Sequence, residues 1–403
     1  MALPELDNRE KDKLSTLLTE IEKDLTGNIL PFWTEKSIDP DGGFYGEVLN
    51  DGRPVPETPK GSILNFRILW TFSEAYRISG NPVYKELSDR AAEYCTDHFI
   101  DPQFGGIIWT VTPRGEILDG IKQSYATAFG IYGLAAHYRA TGYKNSLEQA
   151  INLYHTLEDK VHDDSGLGYF EVFERDYSPS PHNGVDNIDG ATKTMNTHIH
   201  VMEAYTMLFR VWHDNGLKAR IEELLDIIQG KLYSRERHHL IRYTDNDWNP
   251  IGFADTYGHD IETSWLMTEA AVTIGNPKYI ESTRKQAVMM TQTALTEGMS
   301  PDGYMRDELT DKGYSKLLSW WTQCETIVGC INTWQITGES KYIDAAAGIW
   351  NYIKEHFIDR KDGEWFKILL ESGEPAPGFS KISMWNCPYH NCRMGFELKE
   401  RLN

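Results

Sequence analysis

Cysteine is scarce in this 403-residue chain: five in all, odd in number, scattered at Cys95, Cys324, Cys330, Cys387 and Cys392, with no CxxC pair. That pattern argues against a disulfide framework and fits reduced thiols in a cytoplasmic protein. An excess of positive charge is also lacking. A formal net charge of −20 repels phosphate backbones and anionic lipid, so neither nucleic acid nor a membrane surface is an expected partner. No apolar run approaches the ~18 residues of a membrane span, and the opening stretch from Met1 to Lys13 is charged, without the apolar centre of a secretory leader. A GxxxxGK phosphate loop and a GxGxxG turn after a strand are both missing, so no nucleotide or nicotinamide cofactor is expected.

What the chain has is repetition. Five times an apolar helix-like stretch runs into a turn with glycine, then a second helix-like stretch and a loop. The turn glycines are Gly80, Gly142, Gly216, Gly275 and Gly338, spaced by 62, 74, 59 and 63 residues. Glycine just past a helix takes the left-handed conformation that ends it, so each reads as a stop signal. A second series interleaves with the first: Gly42-Gly43-Phe44-Tyr45, Gly105-Gly106-Ile107, Gly166-Leu167-Gly168-Tyr169, Gly303-Tyr304-Met305 and Gly363-Glu364-Trp365. Glycine followed by aromatic or β-branched residues predicts a tight β-hairpin in each copy.

The first helix of each copy is apolar on most sides, as in Ile63–Phe72, and the second is amphipathic, as in Tyr84–Tyr94. An all-round apolar helix is buried and an amphipathic one lies at the surface. Five inner/outer pairs follow directly. A sixth forms if a C-terminal helix (about 391–402) is inner and an N-terminal helix (about 8–28) is its outer partner. The expectation is an all-α (α/α)6 barrel, six inner and six outer helices, with short hairpin loops at one end. No linker or charge block separates the copies, so residues 1–403 are read as one catalytic domain.

Polar residues cluster at the predicted starts of the inner helices. Asn196 and His200 open the third, His259 and Glu262 the fourth, Trp320 and Trp321 the fifth, and Trp385 and His390 the sixth, while Arg67 lies in the first and Tyr125 starts the second. Residues four apart share a helix face, so Asn196 and His200 point together whereas His198 points elsewhere. His198-x-His200 is therefore a poor chelating pair, and no metal is expected. His259 and Glu262, three apart, are expected to pair, the carboxylate holding the imidazole's tautomer. The chain has 12 Trp and 12% aromatic residues. Tryptophan stacks on the apolar faces of sugar rings, which points to a carbohydrate cleft.

Several imidazoles, an arginine and aromatic platforms without a cofactor suit proton removal beside a carbonyl. An opened aldose has an acidified C2–H, which a base with pKa near 7 removes while an arginine stabilises the enediolate oxygen. Return of a proton to the opposite face inverts C2. A glycoside hydrolase on the same barrel would need two carboxylates, one of them from Asp189, Glu262 or Glu325, and would leave three histidines idle. A non-catalytic sugar-binding protein would keep the tryptophans without the His–Glu pairing.

The segments Lys193–Tyr205, Tyr257–Trp265 and Trp385–Met394 resemble the N-acylglucosamine 2-epimerase superfamily, and the likeness extends over essentially the whole chain. The resemblance implies an (α/α)6 barrel that epimerises the reducing-end glucose of a β-1,4-linked disaccharide at C2, with no metal or nucleotide. It implies His259 and His390 as the acid/base pair, His200 in ring opening, Arg67 on the enediolate and Glu262 as the partner of His259. It implies Tyr125, Asn196, Trp321 and Trp385 as sugar-binding residues, with Trp320 as the alternative register for Trp321. A monosaccharide 2-epimerase or aldose–ketose isomerase would use the same histidines; the Pro388-Tyr389-His390-Asn391 segment favours the disaccharide enzyme. Cys392, Thr322 and Cys324 depart from the usual pattern. A monomer or weak homodimer is expected.

Overall fold

The computed structural model describes residues 4–402; residues 1–3 of the charged opening stretch and residue 403 lie outside the described residues. In chain order the helices are α1 (Asn8–Asp24), α2 (Leu30–Lys36), α3 (Ser62–Ser79), α4 (Pro82–His98), α5 (Ser124–Thr141), α6 (Lys144–Lys160) and α7 (Met195–Phe209). They continue with α8 (Asn215–Ile227), α9 (Tyr257–Ile274), α10 (Pro277–Gly298), α11 (Trp320–Thr337), α12 (Lys341–Tyr352) and α13 (Tyr389–Leu402). The odd-numbered helices from α3 to α13 pack each on the next, and α13 packs back on α3. That closes the inner ring. The outer partners are α4, α6, α8, α10 and α12, and α1 packs against α13 and α12 in the sixth place. The fold is an (α/α)6 barrel.

Composition decides which helix goes where. In α3 every residue from Ser62 to Ala75 is buried, and in α5 every residue from Ser124 to His137. The outer helix α4 buries only a stripe that includes Leu87, Ala91, Ala92, Tyr94 and Cys95. Gly133 on α5 allows a close approach: a Cβ there would lie 2.8 Å from the Phe66 carbonyl oxygen of α3.

The glycine stops hold in four copies. Gly80, Gly142, Gly275 and Gly338 have φ of 67°, 73°, 68° and 74°. Gly216 does not end a helix. The third inner helix stops at Phe209, and Gly216 lies inside α8, whose N-cap Asp214 accepts from the Leu217 amide at 3.0 Å. An acidic N-cap starts the next helix there, and the turn before it closes through Val211 N to Leu208 O at 3.0 Å without a left-handed residue. The N-terminal helix is also longer than expected, running through a π-turn at Leu25–Ile29 into α2.

Each glycine hairpin is closed by a single bridge, as at Ile38–Phe44, Ile100–Ile107, His162–Tyr169, Met299–Met305 and Ile358–Trp365. A further hairpin, closed by Tyr233–Leu240, has no glycine; His238 takes the left-handed conformation with φ of 61°. Beyond each hairpin the loop pairs with the strand that precedes the previous inner helix. Lys60–Gly61 pairs with Thr110–Val111, Lys122–Gln123 with Val172–Phe173, and Lys193–Thr194 with Tyr243–Thr244. Ala254–Thr256 pairs with Glu308–Thr310 and Leu317–Ser319 with Ile368–Leu370. The circle closes where Val48 and Ile382 exchange both backbone hydrogen bonds.

Buried lysine–aspartate pairs reinforce four of these joints: Lys60–Asp39 at 2.6 Å, Lys122–Asp101 at 2.9 Å, Lys193–Asp163 at 2.7 Å and Lys381–Asp359 at 2.5 Å. Each aspartate also accepts backbone amides of its own hairpin turn, so one side chain holds the turn and anchors the lysine before an inner helix. These joints fix the end of the barrel at which the inner helices start.

Candidate active site

The inner-helix N-termini surround a cleft of about 380 Å³, within the ~300–1,000 Å³ usual for small-molecule sites. Arg67, Tyr125, Asn196, His200, His259, Glu262, Trp320, Trp321, Trp385 and His390 all line it. One cavity therefore collects every candidate from six inner helices and the loop before α13. Trp385 belongs to that loop and does not open the helix as expected. Pro388 precedes the first helical residue, and Ser383 and Asn386 close a turn around Trp385 through Ser383 N to Asn386 O at 3.1 Å. Trp385 is 37% exposed and its ring lies 6.0 Å from that of Tyr125.

Trp321 packs beside two of the imidazoles, its ring centroid 4.7 Å from His259 and 5.5 Å from His390. It is half-buried, whereas Trp320 is buried with the Lys367 ammonium 4.9 Å from its ring centre. Of the two, Trp321 has the more open face.

The imidazoles have different surroundings. His390 is bonded through Nδ1 to Glu325 Oε1 at 2.7 Å, and His200 through Nδ1 to Glu203 Oε2 at 2.8 Å. A carboxylate needs a donor, so both rings carry the proton on Nδ1 and leave Nε2 unprotonated when neutral. His259 has no hydrogen-bonded partner among the described residues, and its Nδ1 is buried and unsatisfied. The expected His259–Glu262 pair is not formed. Glu262 Oε1 instead accepts from the Arg393 guanidinium, because that fixed charge is a stronger partner for a buried carboxylate than a neutral ring. Burial pushes the pKa of both His259 and His390 well below the ordinary imidazole value; Arg242 and His200 add to the effect at His259, Arg393 and Arg67 at His390. Glu262 is raised to about 7 by burial and the nearby Glu325, against the pull of Arg393. Burial also acts to raise Glu203, but Arg393 and His200 outweigh it and hold this carboxyl at about 2.

Arg67 donates from Nη2 to the Tyr125 hydroxyl at 2.7 Å and lies over the Phe129 ring at 4.3 Å. Its Nε and the Asn196 side-chain oxygen are buried without partners. His198, set apart by its spacing, is fully buried and structural: Nδ1 meets the Thr194 carbonyl at 2.6 Å and Nε2 accepts the Tyr169 amide at 3.0 Å.

Glu262, Glu325 and His390 place one ligand atom each within 4.8 Å of one another, a spacing a metal ion could use. The Arg393 guanidinium already bonds both carboxylates, so this donor set is supplied with a cation by the chain itself. Arg393 and Glu203 were missed as site residues because they are one or more turns below the helix starts, and Tyr389, the first residue of α13, was missed because it points into the cluster beneath the cleft and does not line it. The signal lay in the charged spacing of α7 and α13, where Glu203 follows His200 by three and Arg393 follows His390 by three.

Residues 43–386 match the N-acylglucosamine 2-epimerase family. The chain belongs to that family. A relative in it, the cellobiose 2-epimerase of Bacteroides fragilis, is 40% identical over 386 residues, which cover 95% of this chain and 98% of that one. The cellobiose 2-epimerase of Dictyoglomus turgidum is 34% identical over 96% of this chain and 100% of its own. The solved structure of cellobiose 2-epimerase from Bacillus thermoamylovorans superposes with a TM-score of 0.92 at 35% identity, covering 96% of this chain and 100% of that one.

Proposed function

We propose that this protein is a cellobiose 2-epimerase, converting the reducing-end glucose of cellobiose and related β-1,4-linked disaccharides to mannose and back. The observation that carries the reading is the pair His259 and His390, both beside Trp321 in a cleft with Arg67, the first without a carboxylate partner and the second bonded to Glu325. The names of the full-length relatives supply the substrate.

The reducing-end ring stacks on Trp321 or Trp385, and its hydroxyls meet the polar side chains of Asn196 and Arg67 that line the cleft. Ring opening moves a proton from the O1 hydroxyl to O5, with His200 in that network through its unprotonated Nε2. A neutral imidazole then takes H2, and the electron pair passes through C2–C1 to the carbonyl oxygen, where the Arg67 guanidinium stabilises the cis-enediolate. The other imidazole, protonated, delivers to the opposite face of C2, and the enediolate collapses to the aldehyde of the epimer. His259, with no carboxylate on it, is the more easily kept neutral. Glu325 stabilises the imidazolium form of His390. In the reverse reaction the two exchange tasks. No step uses a metal or an organic cofactor.

A hydrolase would place two free carboxylates across the scissile bond. Here Glu262 and Glu325 share Arg393 and only Glu262 lines the cleft, which disfavours that reading. The same proposal takes residues 1–403 as one catalytic domain working in the cytoplasm as a monomer or weak homodimer, without nucleic-acid or membrane partners. In support, all five cysteines are free and buried, and among the described residues no helix is long and apolar enough to cross a membrane. Incubation with cellobiose and chromatographic separation of the products tests the reading. Glucosyl-mannose is expected; glucose alone, or unchanged cellobiose, would overturn it.

A further inference from the structure

Below the cleft one guanidinium reaches the supports of two different histidines. Arg393 Nη1 bonds Glu203, the carboxylate that holds His200, and Nη2 bonds Glu325 at 2.7 Å, the carboxylate that holds His390. Nη2 also bonds Glu262, whose side chain lines the cleft. The guanidinium carbon lies 4.2 Å from the ring centre of Tyr389 and 4.8 Å from that of Trp265, so aromatic faces fix its plane. Arg393 is 1% exposed.

Three carboxylates against one guanidinium leave the cluster short of positive charge. The deficit is made up by whichever of the imidazoles or carboxyls holds a proton. We propose that Arg393 is a positioning residue that couples His200 and His390: by gripping both of their carboxylates it fixes both rings and makes the protonation of one felt at the other. It touches no sugar and acts through Glu203 and Glu325. This rests on the epimerase reading for its activity assay but not for its titration assay.

The groups facing the cluster come from all six inner helices. They are Arg67 from α3, Tyr132 from α5, His200 and Glu203 from α7, His259 and Glu262 from α9, Glu325 from α11, and Tyr389 and His390 from α13. Loss of the Arg393 charge removes one of the influences that depress His390, so its pKa must rise. The same loss leaves Glu203 held by the Tyr389 hydroxyl and Glu325 by the Trp265 indole N–H at 3.0 Å, so each carboxylate is fixed less firmly beneath its imidazole. Lysine at 393 would keep the charge but not the fork that spans two carboxylates.

The test uses Arg393→Lys, Arg393→Met and Arg393→Ala on the full chain. Arg393→Met should lower kcat about 10²-fold or more with KM changed only a few-fold, as for loss of an oriented acid–base group. Its acid limb should move to higher pH. Arg393→Lys should keep the wild-type acid limb while losing kcat, and guanidinium ion added to Arg393→Ala should restore part of the rate. A kcat in Arg393→Met near that of the wild type with an unchanged pH profile would overturn the proposal. If Arg393→Met does not fold, Arg393→Lys carries the kcat-against-KM part of the test, and a kcat near that of the wild type in it would overturn the proposal. NMR titration of labelled histidine in wild type, Arg393→Met and Arg393→Lys reads the coupling without turnover: the His200 and His390 resonances should both titrate differently in Arg393→Met and stay near the wild type in Arg393→Lys, and a change at neither in Arg393→Met contradicts the proposal. If the wild type shows no action on cellobiose, the activity reading fails, while this titration still decides the coupling.

Discussion

Glu325 Oε1 and His390 Nδ1 lie 2.7 Å apart across the junction of α11 and α13, while His259, also beside Trp321, has no such partner among the described residues. That asymmetry distinguishes the two imidazoles of the proposed acid/base pair. It also removes Glu262 from the place beside His259 that its spacing suggests.

Replacing either imidazole should stop the chemistry. His259→Ala and His390→Ala are each expected to lower kcat by about 10²–10⁴-fold with disaccharide affinity largely kept, because each carries one of the two proton transfers. Steady-state kinetics with calorimetric binding of cellobiose checks this. Turnover near wild type in either variant would show that the wrong rings were chosen.

Glu325→Gln keeps shape but removes the charge that fixes the His390 tautomer. Without it the imidazolium form is less favoured, and kcat should fall roughly 10–100-fold, the usual cost of losing a carboxylate that orients a functional imidazole. KM should change little, since Glu325 does not line the cleft. A pure KM effect would contradict the assignment.

The pH profile has a sign fixed by burial. His259 and His390 are both pushed down, so the neutral base persists below the ordinary ~6.5 and the acid limb of kcat/KM should lie below that value. Stability follows the same direction. The unfolded chain binds protons at these rings from pH ~6.5 downward while the folded chain resists, so this contribution to stability is lost as pH falls below ~6.5. Urea unfolding between pH 7 and 5 reads it directly.

The lysine–aspartate joints should matter to the fold. Lys60→Met leaves Asp39 buried without its 2.6 Å partner, and breaking one member of a buried pair costs about 3–5 kcal/mol. Urea unfolding should show that loss, and the double change Lys60→Met with Asp39→Leu should recover much of it. An unaltered midpoint in the single variant would mean the joint is not structural.

The barrel was legible because its signals are local. Left-handed glycine at four helix ends and the contrast between apolar and amphipathic helices act within one copy at a time, so a single sequence displays them. Gly216 misled because a glycine near a turn can equally enter the next helix when an acidic N-cap precedes it. The Tyr233–Leu240 hairpin was invisible because His238 takes the conformation that glycine usually supplies. The cleft residues were legible from their equivalent places at the inner-helix starts. Glu325 and Arg393 were not, because the bonds they make to the cleft residues run between helices distant in sequence, whereas the bond from Glu203 to His200 lies within α7 and was open to the same spacing argument. Spacing within one helix paired Glu262 with His259; the barrel pairs it with Arg393, 131 positions further on.

The central claim is that C2 is inverted by proton removal and return, and incubation with cellobiose in D₂O tests it most directly. The incoming proton reaches C2 from an imidazole on the face opposite the one that lost H2, and that imidazole exchanges with solvent. The glucosyl-mannose formed should therefore carry deuterium at C2 of its reducing-end sugar, seen as a one-mass-unit gain and loss of the C2 proton resonance. Full retention of the original hydrogen at C2 would contradict the account and require a hydride route.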